Sequence, residues 1–75
     1  MSRSINSAPY RRLRAALVSA RAKSGKTQVE VAKALRRPQS FVSKYESGER
    51  NLDVIEFVAV CRVLEIPTAD VLEAL

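Results

Sequence analysis

Histidine and tryptophan are absent from this 75-residue chain, and cysteine occurs once, at Cys61. Without imidazole there is no His-dependent triad, and one thiol makes neither a disulfide framework nor a Cys/His zinc site. Two glycines and three prolines are the only strong interruptions, and aromatic residues are 5 % of the total. The longest apolar-rich stretch, residues 54–64, carries Glu56 and Arg62 and is far short of the ~20 residues that a membrane span requires. Residues 1–8 have no apolar run of signal-peptide length, which together with the lone cysteine points to a reducing cytoplasm. What is present is enough for one small domain. Its 47 % apolar residues must form a single core, and a chain of this size buries only about 60 % of its unfolded surface, so self-association would help it.

The net charge of +5 is unevenly spread. Residues 1–45 hold eleven Lys and Arg against Glu30 alone, or +10, while residues 46–75 hold Arg50 and Arg62 against seven acids, or −5. A basic end and an acidic end suggest a polyanion on one side and something else on the other. Composition alone does not separate nucleic acid from an anionic membrane, or either from a merely charged, soluble surface.

Helical periodicity runs through the chain. Leu13, Ala16, Leu17 and Ala20 follow the i, i+3, i+4, i+7 pattern, so a first helix is expected from Pro9 to about Lys23, stopped at Ser24-Gly25. Thr27-Gln28-Val29-Glu30 is a capping box that opens a second helix ending near Leu35. The third is expected from about Pro38 to Ser47, with Arg37 as N-cap and Pro38 in the first helical position. Asn51 is a good N-cap for a fourth, about Leu52 to Leu64, and Pro67-Thr68 opens a fifth, about Ala69 to Leu75. Residues 1–8, small and polar with little to bury, read as a flexible arm ahead of a domain over residues 9–75.

Two short helices joined by a tight turn within the basic part match a helix-turn-helix, whose second helix enters the major groove. Residues 28–47, Gln-Val-Glu-Val-Ala-Lys-Ala-Leu-Arg-Arg-Pro-Gln-Ser-Phe-Val-Ser-Lys-Tyr-Glu-Ser, resemble the core of the phage repressor and Cro family, also called the XRE family. Ala32 stands where that family needs its two helices to touch, Val31, Leu35, Val42 and Tyr45 fall on its apolar positions, and Tyr-Glu-Ser-Gly-Glu-Arg at 45–50 resembles its closing segment. The resemblance covers roughly residues 10–75. It implies an all-α, compact five-helix, lambda-repressor-like DNA-binding domain, with helices 2 and 3 as the helix-turn-helix. Arg36 replaces the Gly usual in the left-handed turn, at a cost of about 1 kcal/mol. Arg37 replaces the usual apolar residue next to it, and Glu65 the Gly common after the fourth helix.

The exposed start of the third helix supplies the candidates for base edges. Gln39 suits adenine N6 and N7, Lys44 suits guanine O6 and N7, and Ser40 and Ser43 suit donors or acceptors, each good contact discriminating by about 1–3 kcal/mol. Phe41 is expected on the outer side of the helix, against a thymine methyl or packed on the neighbouring turn. Gln28, with the backbone amides of its helix N-terminus, is placed to donate to a phosphate. Lys26, Arg36, Arg37, Arg50 and Asn51 flank the same surface as further phosphate contacts, unless Asn51 is occupied wholly as a cap. Arg3 in the arm has a weaker claim on the duplex. In the resemblance Arg21 and Glu46 occupy the positions of an ion pair that ties the first helix to the end of the third.

The fourth helix is apolar nearly all round, more than one core-facing stripe explains. Val54, Phe57 and Val60 are therefore candidates for a symmetric dimer contact, the alternative being a central helix buried within one domain. A two-fold dimer would set two recognition helices about 34 Å apart on a near-palindromic operator. Cys61 reads as a small core residue. The expected function is a sequence-specific, double-stranded DNA-binding transcriptional regulator, a dimeric repressor, located in the cytoplasm on the nucleoid. Two alternatives stand beside it: a DNA-binding antitoxin or accessory subunit that holds a protein through its acidic C-terminal half, and a helical adaptor that has lost DNA binding. No enzyme activity, metal, cofactor or membrane contact is expected, since no acid/base pair or ligand set can be named.

Overall fold

The structure, a computed structural model, describes residues 7–75. Among these the order is α1 (Ala8–Ser24), α2 (Gln28–Leu35), α3 (Gln39–Ser47), α4 (Val54–Leu64) and α5 (Thr68–Glu73), with no strand. Residues 1–6 of the expected arm, Arg3 included, lie outside the described residues. Its last two positions belong to the first helix: the Ser7 side chain accepts from the Tyr10 amide at 3.2 Å, and Ala8 begins α1.

The chemistry of each helix start fixes where it falls. At α2 the Thr27 hydroxyl accepts from the Glu30 amide at 3.1 Å while the Thr27 amide donates to Glu30 Oε1 at 2.8 Å. The same reciprocal pair recurs at α4, where Asp53 Oδ1 accepts from the Glu56 amide at 2.7 Å and the Asp53 amide donates to Glu56 Oε1 at 3.0 Å. Asn51 is thus not the cap, and α4 starts at Val54 instead of Leu52. Asp53 wins because Glu56 lies three residues on and satisfies a second amide, whereas the residue three after Asn51 is Val54, which has nothing to offer. In α3 the N-cap is Pro38, at ψ 154°, in place of Arg37. The proline ring fixes φ for a cap or for a first helical turn alike, and the extended ψ leaves the Pro38 carbonyl to accept from the Phe41 amide at 3.0 Å.

Helices α2 and α4 end without glycine. Arg36 (φ 59°) and Glu65 (φ 58°) hold the left-handed conformation. Both sit in Schellman closures: the Arg37 amide donates to the Ala32 carbonyl and the Ile66 amide to the Cys61 carbonyl, each at 3.0 Å. Two satisfied carbonyls per end offset the steric cost of a Cβ in that region.

Helix α2 packs on α3 and α4, and α1 packs on α3, α4 and α5. Their inner faces meet in one core of Leu13, Leu17, Val31, Ala32, Phe41, Val42, Tyr45, Val60, Cys61, Leu64 and Val71. Two expectations change here. Phe41 is not on an outer surface; it is 6 % exposed, edge-on to Tyr45 with ring centroids 5.5 Å apart. Val60 is fully buried within the single chain and is not available to a dimer. Along α4, Val60, Cys61 and Leu64 are buried, while Val54 and Ile55 in its first turn and Arg62 in its last are exposed.

Among the described residues the buried Tyr45 hydroxyl has no hydrogen-bond partner, and burial pushes its ionisation well above the ordinary range. An orphaned buried hydroxyl carries its desolvation cost uncompensated. Tyr45→Phe is therefore expected to stabilise the fold by up to about 1 kcal/mol, which a thermal melt would register as a rise of about 4 °C. A clear fall in Tm would show that the hydroxyl has a partner in solution.

Candidate nucleic-acid interface

Apolar Val42 and Tyr45 bury the inner side of α3, so the opposite side faces out. Gln39 and Ser40, its first two residues, are exposed, as is Lys44 one turn further on, while Ser43 is half-buried.

A chain of polar contacts runs from α1 to the start of α3. Arg21 Nε donates to Glu46 Oε2 at 2.6 Å and Arg21 Nη2 to Glu46 Oε1 at 3.1 Å, a bidentate pair. Arg21 Nη1 also donates to the Lys26 carbonyl at 3.0 Å, and the Glu46 hydrogen bond raises the guanidinium pKa. Gln28 Nε2 donates to Glu46 Oε1 at 2.9 Å, and Gln39 Nε2 donates to Gln28 Oε1 at 3.3 Å. The direction of this chain is dictated by its first acceptor. An ionised Glu46 can only accept, so Gln28 must turn its NH2 towards it and its carbonyl towards Gln39, which must then donate. Gln39 is left with its carbonyl oxygen and a second amide hydrogen, the acceptor and donor that pair with an adenine edge.

A second cluster flanks α3 from the turn before it and the loop after it. Arg50 Nη1 and Nη2 donate to the two oxygens of Glu56 at 2.9 Å each, and Nη1 also donates to the Asn51 carbonyl at 2.9 Å. Arg37 Nη2 donates to Glu56 Oε2 at 2.7 Å. Both guanidinium groups lie over the Phe41 ring, 4.4 Å from its centroid for Arg37 and 4.7 Å for Arg50, within cation–π range. Sequence reasoning missed Glu56 as the centre of this cluster, although the Asp53-x-x-Glu56 capping signature would have placed it at the start of a helix.

Of the remaining candidates, Arg36 and Asn51 are exposed and Lys26 is half-buried. The three dimer candidates are dispersed: Val54 is 74 % exposed, Phe57 is half-buried and Val60 is inside. Ile55, not singled out from the sequence, is 77 % exposed beside Val54. Tyr10, also unremarked, accepts from the Leu52 amide at 2.7 Å and so fastens the loop before α4 to α1.

Residues 17–71 match the helix-turn-helix family. An XRE-family like protein from Pseudomonas syringae pv. tomato str. DC3000 is 47 % identical, with a TM-score of 0.86 over 93 % of this chain and 85 % of that one. This chain belongs to the XRE helix-turn-helix family. Its family makes it a DNA-binding transcription regulator. No curated protein matches it. The helix-turn-helix of this XRE protein is the α2–α3 pair; Glu46 of α3 binds Arg21 of α1, and Arg37, between the two helices, binds Glu56 of α4. No described helix is long and apolar enough to cross a membrane.

Glu46→Ala would leave the Arg21 guanidinium and the Gln28 amide without their acceptor. With the pair partly open to solvent, a loss of about 2 kcal/mol is expected, below the 3–5 of a fully buried pair. A thermal melt would show this as a fall of about 10 °C, and an unchanged Tm would refute it. Glu56 behaves differently with pH. The Arg50 hydrogen bond, aided by the Asp53 amide and Arg37, holds its carboxyl down to about 2 from an ordinary 4.5. A depressed folded-state pKa favours the folded chain above the ordinary value, and that contribution disappears as the pH falls from about 4.5 towards 2. Wild type is expected to lose stability over this window more steeply than Glu56→Gln, and parallel profiles would rule out the coupling.

Proposed function

We propose that this XRE protein is a sequence-specific repressor that binds double-stranded DNA as a homodimer and reads the major groove with α3. The observation that carries the reading is Gln39, exposed at the start of α3 with its amide oriented through Gln28 and Glu46. Gln39 reads adenine, with Ser40, Ser43 and Lys44 at neighbouring base edges. Gln28 keeps one amide hydrogen for a phosphate, supported by the N-terminal amides of α2, and Lys26, Arg36 and Arg37 neutralise further phosphates. The second copy meets the first at Val54 and Ile55, with Phe57 behind them. Such a pairing covers two large apolar side chains that otherwise face water and gives the symmetry that a near-palindromic operator needs. Repression then follows from occupying a promoter.

Selection from a randomised duplex library at two salt concentrations tests this. Enrichment of a near-palindrome is expected, with affinity falling by about 0.9 power of salt for each phosphate contact. Gln39→Ala is expected to relax discrimination at one base position by about 1–3 kcal/mol. Lys26→Ala should weaken all sequences alike and flatten the salt slope by about 0.9. A uniform loss from both substitutions would overturn the assignment of roles.

A further inference from the structure

Arg37 and Arg50 flank α3, carry the same charge and share one carboxylate, yet they share it unequally. Arg50 turns the forked end of its guanidinium to Glu56, with both terminal nitrogens on the two carboxylate oxygens and one of them also on the Asn51 carbonyl. That fork is the group with which an arginine grips a phosphate. Arg37 gives Glu56 one terminal nitrogen only, so its Nε and Nη1 have no acceptor among the described residues. Both groups lie over the Phe41 ring, and Glu56 is anchored by its capping pair with Asp53. The side chains of both arginines remain open, 42 % for Arg37 and 36 % for Arg50, while that of Glu56 is 12 % exposed.

We propose that Glu56 is a positioning residue that sets DNA affinity: its carboxylate occupies Arg50 as an internal stand-in for a phosphate and holds Arg37 in place with donors to spare. This rests on the DNA reading above. One arginine of the two is then presented to the duplex and the other is held back, which keeps the sequence-independent part of the affinity below what thirteen Lys and Arg could give. Since phosphate contacts carry no base information, the effect bears on all duplexes alike.

Glu56→Gln removes the charge and keeps the oxygen that accepts from the Asp53 amide, since Gln also serves at that capping position. Binding of the full chain to a short random-sequence duplex, followed by fluorescence anisotropy across a salt series, reads the outcome. One freed phosphate contact is expected to steepen the salt slope by about 0.9 and to raise affinity about eightfold near 0.1 M salt. In an Arg50→Ala background the same Glu56→Gln step should give neither. Glu56→Asp, which keeps the charge and withdraws it by one methylene, should give a smaller gain and serves if the Gln variant does not melt cooperatively. An equal gain with and without Arg50 would overturn the proposal, because the carboxylate would then act through its long-range field alone. A loss of affinity in a folded Glu56→Gln would overturn it too, because Glu56 would then be preorganising both arginines for DNA. Elution from a heparin column separates the two hypotheses: if wild type ignores the duplex, the DNA reading fails, while later elution of Glu56→Gln only when Arg50 is present still upholds the Glu56 assignment, and its absence rejects it.

Discussion

The carboxylate of Glu46 sits where three helices must agree. It belongs to α3, accepts twice from Arg21 of α1 and once from Gln28 at the start of α2, and lies 8 % exposed at its side chain. An ion so little hydrated is tolerable only with its donors in place, so the requirement to satisfy Glu46 fixes the relative placement of α1, α2 and α3. The same requirement orients Gln28 and, through it, Gln39. In this domain the bonds that hold the helix-turn-helix to α1 and the bond that orients Gln28, and through it Gln39, end on one pair of oxygen atoms.

Glu56 shows how the same residue type serves a different end. It too collects arginines, but they are half-open to solvent, and its backbone sits in a helix first turn where the dipole favours a negative charge. Solvent around these arginines screens its pairs more than it does the Arg21–Glu46 pair. What they do is arrange charge: two guanidinium groups are gathered over the Phe41 ring of α3. The uneven charge along the sequence, basic to residue 45 and acidic after it, acquires a geometric meaning here, because an acid from the second part is paired with Arg37 of the first.

Local signals in the sequence carried most of the fold. Thr27-x-x-Glu30, Gly25, Gly48 and the apolar spacing on α1 each speak about their own turn of helix, and the structure has them so. Asp53-x-x-Glu56 is the same signal, in competition with Asn51, two residues earlier, which is also a favoured cap but has no reciprocal partner three residues on. Depth was harder to read. Periodicity says which side of a helix is apolar, not how far the neighbouring helix reaches over it, which is why it leaves Phe41 and Val60 open between surface and interior, and both lie inside. Contacts between residues distant in the chain left no trace in spacing at all: Arg37 to Glu56, or Tyr10 to the Leu52 amide, depend on a packing that only the folded chain defines. Arg21 and Glu46 were paired from the resemblance to a family, not from any rule of the sequence itself.

The two left-handed residues that are not glycine say something about what this domain tolerates. A Cβ at φ 59° in Arg36 costs about 1 kcal/mol relative to glycine, a sizeable share of the ~5–10 kcal/mol by which a domain of this size is stable. The Schellman closure, with the Arg37 amide on the Ala32 carbonyl, holds the turn in that conformation whether or not the residue is glycine. A glycine would therefore make the same turn more cheaply. What the arginine adds is an exposed cation at the turn of the helix-turn-helix, next to Arg37 and ahead of Gln39, on the side where a phosphate backbone must pass if α3 enters a groove.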